Sequence, residues 1–216
     1  MSIRAKLYAA IALSTIGPVL TTAIALAAMS TLGDRFTEVE RSSANVELAL
    51  NLKFGVTDVN GWQTAYGYDD GASRPRYEQS LRRLEQDLAT ARRRLRTGAE
   101  RRLLDRLTQQ LDTFTSLDDR AYTALQNDRP QVTKQIFLGP EIRQFEAMAA
   151  TAQQLADQER KSASAARAGF TDARTDARRK LVAVALGAGI VIVLLLITAQ
   201  DVARRALEER REEARA

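Results

Sequence analysis

The sequence predicts an all-α protein, an up-down-up-down four-helix bundle flanked by two transmembrane helices. Two long uncharged runs, Leu7 to Gly33 and Leu181 to Gln200, bracket the chain. The stretch between them is too polar to enter a bilayer, and its apolar residues recur at alternating spacings of three and four. Clusters of glycine, proline, asparagine and aspartate cut that stretch into helix-sized segments.

At a rise of about 1.5 Å per residue the second run spans roughly 30 Å, the thickness of a hydrocarbon core, and the first is long enough to cross with tilt. Arg4 and Lys6 precede the first run and small residues such as Ala25 and Ala27 lie near its end, as in a cleaved leader. Leader cores usually run only about 7 to 15 residues, which favours an uncleaved anchor. The expected order is therefore residues 1–6 as a cytoplasmic N-terminus, 7–32 as the first transmembrane helix and 33–180 as an extracytoplasmic bundle. The second transmembrane helix follows at 181–200, with a short cytoplasmic tail at 201–216. Lysine and arginine bias settles orientation poorly, because Arg178, Arg179 and Lys180 oppose Arg204, Arg205, Arg210 and Arg211 across the second run. Two spans leave both termini on one side, expected to be the cytoplasm of a cell-membrane protein.

The first bundle helix runs from Asp34 to about Asp69. Its stripe of Phe36, Val39, Val46 and Leu50 changes face once, as at a stutter, to Leu48, Leu52, Gly55, Val59, Trp62 and Tyr66. Asp70, Gly71, Ser73 and Pro75 break it. A second helix carries Tyr77, Leu81, Leu84, Leu88, Ala91 and Leu95, and Gly98 is expected to end it. The third opens with Leu104, Leu107, Leu111 and Phe114, continues to Ala121 and Leu125, and has Asp118 as its one interruption. After Asn127, Asp128 and Pro130 comes a short segment through Ile136 and Phe137. Gly139 and Pro140 are expected to restart the chain as a fourth helix. That helix keeps its heptad through Ile142, Phe145, Ala149, Ala152, Ala156, Ala163, Ala166, Phe170, Ala173 and Ala177, with Glu159 as the polar exception. The first and fourth would rise roughly 54 and 60 Å, with the inner two shorter.

The chain has neither cysteine nor histidine, which removes disulfides, thiolate and imidazole metal sites and imidazole acid–base catalysis. Adjacent acids such as Asp69 and Asp70 point to different faces of a helix, so a carboxylate-pair hydrolase lacks its geometry. No catalytic residue, metal site or cofactor is predicted, and the protein reads as a non-enzyme. The net charge of +5 is modest for 216 residues and is read as membrane proximity. Nucleic acid is not an expected partner, because no aromatic residues interleave the arginines as stacking platforms.

Asn60 through Gly71 holds the only tryptophan and two of the five tyrosines. Aromatic faces and polar groups at one end of a bundle suit a small ligand, with Tyr66, Tyr68, Asp69 and Asp70 on one side and Arg129, Lys134, Phe137 and Arg143 across the tip. The plainer reading is that Trp62 and Tyr66 fill the core while Tyr68 and the acids cap a helix end. Arg92, Arg93, Arg94 and Arg96, with Arg101, Arg102 and Arg106, form the densest basic segment. It reads either as a solvated face paired with Glu85, Asp87, Glu100 and Asp105 or as a contact for anionic headgroups. Ala183 with Gly187 and Ala185 with Gly189 have the small-xxx-small spacing of close span packing. The shallow knobs of the fourth helix, Ala163, Ala166, Phe170, Ala173 and Ala177, make it the candidate signal-relay element, since they bury little area and oppose sliding weakly.

This pattern resembles the four-helix-bundle sensory domain of bacterial methyl-accepting chemotaxis receptors and related transmembrane signalling proteins, over roughly residues 1–205. The string from Asn60 through Asp70 is similar to one in such receptors from high-GC Gram-positive bacteria. The resemblance implies an extracellular signal carried by a small-molecule or protein ligand, a homodimer of bundles in the lipid bilayer, and a last helix that shifts with its span. Past Asp201 the chain departs from the family: it has no HAMP proline, methylation helices, or kinase or cyclase motif. It is thus expected to be a fragment of a longer receptor or to act through a separate cytoplasmic signalling partner, with Glu208 to Glu213 as a solvated or partner-contacting stalk. The competing reading is a membrane-anchored helical scaffold of the cell envelope with no small-molecule ligand.

Reporter fusions test the two-pass expectation. A phosphatase inserted at 127–129 is expected to be active and fusions at either terminus inactive; termini reporting opposite compartments would sink it.

Overall fold

The computed structural model describes the backbone of residues 3–213 and the side chains of residues 15–200, 203 and 204. Arg4, Lys6 and the Glu208–Glu213 stalk therefore lie outside the described side chains. Among the described residues the fold is helical throughout: α1 (Ile3–Tyr68), α2 (Arg74–Arg94), α3 (Gly98–Gln126), α4 (Pro130–Ile136), a π-helical turn (Phe137–Glu141) and α5 (Ile142–Glu213).

The chain divides into two compact units, residues 38–167 and the remainder of α1 and α5 on either side. In the first, α1, α2, α3 and α5 contribute to one core. Leu52, Val56 and Val59 meet Leu84, Leu88 and Leu95, with Leu104, Leu107, Leu111 and Phe114 from α3 and Met148, Ala152, Leu155 and Ala156 from α5. A Cβ on Gly55 would stand 3.1 Å from the Leu84 side chain, so α1 and α2 approach closely there. The stripes expected on α1, α2 and α3 are largely the faces that bury. On α5 the expected Ala152, Ala156, Glu159, Ala163, Ala166 and Ala177 are buried, joined by Met148 and Leu155, and only at the start does the register differ, with Ile142 exposed and Glu141 buried.

Two boundaries differ from expectation. Gly98 does not close α2 but begins α3, because Thr97 and Glu100 form a reciprocal capping box: Glu100 N donates to Thr97 Oγ1 (3.2 Å) and Thr97 N to Glu100 Oε2 (2.8 Å). Nor do Gly139 and Pro140 restart the chain. Proline has no N–H for the helical ladder, and the backbone accommodates it by widening into the π turn, where Ile142 N reaches back to Phe137 O.

In the second unit the large apolar side chains point outward, among them Ile16, Val19, Leu20, Leu186, Ile190 and Leu194. Both helices are long and apolar enough to cross a membrane, with mean hydropathy of 1.6 in the most apolar described window of α1 and 3.0 in that of α5. Polar atoms inside these stretches are satisfied locally: Thr21 donates to Gly17 O and Thr22 to Pro18 O, both at 2.9 Å, on the turns around Pro18. Ile24, Ala27 and Ala28 face Gly169, Ala173 and Ala177 across a cleft of about 810 Å3. Of the small-xxx-small residues, Ala183 lines this cleft, whereas within the chain a Cβ at Gly187 or Gly189 would meet no atom within 4 Å.

Deleting the Leu84 side chain in Leu84→Ala is expected to destabilise the bundle by about 2–5 kcal/mol through the cavity left behind. Ala156→Leu is expected to cost about 1–3 kcal/mol through overpacking. Thermal unfolding of the full chain followed by circular dichroism checks both, and an Ala156→Leu variant at least as stable as the parent would refute the close approach of α5.

Candidate functional site

The bundle carries a polar knot inside its core, at the end where α1 turns into α2. The chain turns there because Asp70 and Gly71 adopt positive φ (55° and 91°), which lets Gly71 N reach Tyr66 O at 2.8 Å. Asp69 caps the turn by accepting from Ser73 N (3.1 Å) and Ser73 Oγ (2.5 Å). Those hydrogen bonds, the hydroxyl's first, hold its carboxyl below the usual carboxylate range. Arg74 then opens α2 and its guanidinium turns inward. The guanidinium carbon lies 5.1, 4.6 and 4.4 Å from the ring centres of Tyr66, Tyr77 and Tyr122. It bonds Asp118, whose side chain is 1% exposed, and meets Asp119 at 3.5 Å and Glu78 at 3.4 Å.

The Tyr66 hydroxyl donates to the other Asp118 oxygen, and its ring makes edge contacts with Tyr77, Tyr122 and Phe137 at 5.6–5.9 Å. The Tyr77 hydroxyl faces the same carboxylate, responding to its charge without closing a hydrogen bond of normal geometry. Close packing of the knot requires glycine at position 67, where a Cβ would fall 2.3 Å from the Phe137 ring. Burial alone would lower the Arg74 pKa, but the Asp118 charge and hydrogen bond more than offset it, so the cation is locked on. Burial pushes the Asp118 carboxyl upward and the Tyr66 bond and Arg74 charge return only part of the shift. Burial also raises the Tyr66 and Tyr77 phenols, with the neighbouring Asp118 charge adding to it.

Two further carboxyls are buried. Glu141, in the π turn, is 1% exposed with neither oxygen hydrogen-bonded. Burial, then the Asp118 charge, pushes it up to about 8, with Arg74 pulling the other way. Glu159, the polar exception on α5, is pushed up to about 7 by burial and then by Glu100, while the Asn45 amide opposes the shift. The Glu159 carboxyl thus meets Glu100 between α3 and α5, and the like charge of that neighbour adds to burial in favouring its protonated form.

The ligand residues expected from sequence are partly spent on structure and partly exposed. Tyr66 is locked in the knot; Tyr68 is 87% exposed; Asp69 and Asp70 build the turn. Arg129 starts α4, its N–H donating to Ala124 O at 2.9 Å, and Arg143 is exposed. A more promising recess lies between α1 and α2, a cleft of about 830 Å3 lined by Asn51, Phe54, Asp58, Gly61, Trp62, Ser80, Arg83 and Asp87. Phe54 is 64% exposed, Ser80 donates to Asp58, and the Trp62 ring carries Arg76 at 4.7 Å. Open space beside Gly61 widens the recess. Aromatic faces beside charges of both signs suit a small molecule with an ammonium or a carboxylate. Among the described residues no three carboxylates converge as a metal shell requires.

The relay residues divide. Ala163 and Ala166 are buried in the bundle unit. In the apolar unit Ala177 is buried, Ala173 half-buried, and Phe170 packs on Phe36 with ring centres 6.2 Å apart. Sequence reading missed Arg74, Tyr122 and Glu141 as site residues. The available signal was Asp118, a lone charge on an otherwise apolar stripe, which had to have a buried cationic partner.

Glu141 and Glu159 bind protons more tightly folded than unfolded, so their stabilising protonation is complete below about pH 4.5 and is lost as pH rises through about 7 and 8. Glu141→Gln is therefore expected to raise the melting temperature at pH 9 and leave it nearly unchanged at pH 5, and Glu159→Gln to flatten the decline between pH 5 and 7. Melting curves across that range check this; equal gains at every pH would refute it.

Compared with known proteins, the chain matches no protein-family model, no curated protein and no solved structure, so the reading of its site rests on this geometry alone.

Proposed function

We propose that the chain is a non-enzymatic, two-pass membrane receptor-like protein of the chemoreceptor type. In this reading an up-down-up-down four-helix bundle lies outside the cell membrane, both termini lie in the cytoplasm, and two copies pair as a homodimer. The observation that carries it is a property of two helices. α1 and α5 each supply residues to the bundle core and each also bear a lipid-length stretch with outward-facing apolar side chains. A helix is stiff along its axis, so a shift imposed on its bundle part is felt in its apolar part. The α1–α2 cleft supplies a place for a ligand, and the alanine-rich face of α5 supplies an element that moves against weak resistance. A cytoplasmic partner receives the signal.

The scaffold reading, a membrane-anchored helical protein with no small-molecule ligand, is favoured by one observation: Tyr66 is bonded to Asp118 inside the core and Asp69 and Asp70 build the α1–α2 turn, so three of the expected ligand residues serve the fold. Thermal unfolding of the full chain in lipid nanodiscs, with amino acids, amines and organic acids, separates the two. Ligand at about 100 times its Kd is expected to add about 2.7 kcal/mol. Phe54→Ala with Arg83→Ala is expected to abolish that gain without changing the unliganded stability by more than about 0.5 kcal/mol. No stabilisation by any compound would leave the scaffold as the better account.

A further inference from the structure

At the other end of the bundle core, where α2 turns into α3, three arginines of the turn meet a fourth from α1. Arg93 and Arg94 end α2, Arg96 follows, and together with Arg41, Ala44 and Asn45 they line a cleft of about 480 Å3. The turn is held from both sides. Leu95 is fully buried in the core with its N–H on Ala91 O at 2.8 Å, and the Thr97–Glu100 capping box fixes the start of α3. Arg93 and Arg94, just before these anchors, and Arg96, between them, are exposed.

The cleft has no acid in its lining, and none of its four guanidiniums makes an ion pair among the described residues. Arg92, which is not in the lining, takes Asp105 at 3.2 Å. Glu100, the acid closest in sequence to this turn, is turned inward, buried, and bonded to Thr97 N. Arg93 gives one N–H to Thr90 Oγ1 (3.1 Å) and Arg96 gives its Nε–H to Arg93 O (3.2 Å), which leaves most of the guanidinium donors unused. Four cations around one recess repel one another unless an anion joins them. The planar fork of arginine matches the oxygens of a phosphate group better than a single carboxylate site would require.

We infer that this cleft, which Ala44 and Asn45 also line, binds a phosphate-bearing anion held by Arg41, Arg93, Arg94 and Arg96. The phosphate belongs either to a phospholipid headgroup or to a soluble phosphate compound. Arg41 follows Gly33, the end of the first apolar run, by eight residues, which makes the headgroup the nearer source in sequence.

The test uses the full chain in a non-ionic, phosphate-free detergent. Inorganic phosphate and pyrophosphate are titrated by calorimetry in one arm. Micelles doped with phosphatidylglycerol are titrated in a second, and oleate-doped micelles serve as a carboxylate control. Saturable binding is expected in a phosphate arm, weakened about fivefold by Arg41→Ala and about a hundredfold by the triple alanine variant at 93, 94 and 96. Alanine at Arg101, Arg102 and Arg106, equally exposed but outside the cleft, is expected to change it less than twofold. Binding of the soluble anions alone assigns a soluble source, and binding of phosphatidylglycerol alone assigns a headgroup. Competition between them assigns one site open to both. The inference is overturned by no saturable binding in either phosphate arm, by equal binding of oleate, by equal losses in the control triple variant, or by Arg41→Ala without effect. All substituted side chains are exposed, and unchanged melting curves verify that each variant is folded.

Discussion

A guanidinium removed from water must have both its charge and its donors met. At Arg74 that requirement ties α1, α2 and α3 to one point. Asp118 answers the charge, three tyrosine rings supply negative faces, and Tyr66 completes the hydrogen bonding of the carboxylate. Removing one member of such a buried pair typically costs about 3–5 kcal/mol because the other is left uncompensated, whereas an apolar pair of similar volume fills the same space at little or no loss. The knot is therefore best understood as fixing which helix faces meet, and at what height. Leucine stripes, which slide past one another in steps of a turn, specify this less tightly.

The same end of the bundle holds a carboxyl that no hydrogen bond compensates. Glu141 is buried in the π turn, a segment the chain adopts because Pro140 cannot donate to a regular ladder. A second buried carboxyl, Glu159, faces Glu100 across the core toward the opposite end. Each is tolerated by keeping its proton, and each does so near neutrality. A bundle with protonated acids at both ends of its core is softer toward rearrangement than one closed by leucine alone, because ionisation adds an unmet charge to a packed interface. That softness suits the proposed sensing role, in which α5 must move without the core coming apart.

The two candidate recesses differ in chemistry in a way that suits two jobs. Beside α1 and α2, aromatic rings and charges of both signs favour a small molecule by shape and orientation. The arginine cleft at the far turn offers charge of one sign and no aromatic ring, which favours anchorage by phosphate over discrimination. Pocket acids are absent from the second because Glu100 is engaged as a helix cap, a local decision of the backbone with an electrostatic result.

Periodicity along the chain sufficed for the all-helical class, the two lipid-length runs, the stripes on α1, α2 and α3 and the breaks near Asp70 and Asn127, because each is a property of neighbouring residues along one helix. The same logic failed at Gly98, where a capping box four residues long outweighed the glycine, and at Gly139–Pro140, where a π turn absorbed the proline instead of ending the helix. It also placed Ile142 inside and overlooked Glu141, because the π turn carries Glu141 into the core at the start of α5. Asp118 and Glu159 were visible as polar exceptions, but their partners were not. Which cation reaches Asp118, and which acid faces Glu159, depends on how three separate helices are rotated and set in height against each other. Pairwise charge proximity across such distances in sequence is decided only when the core packs.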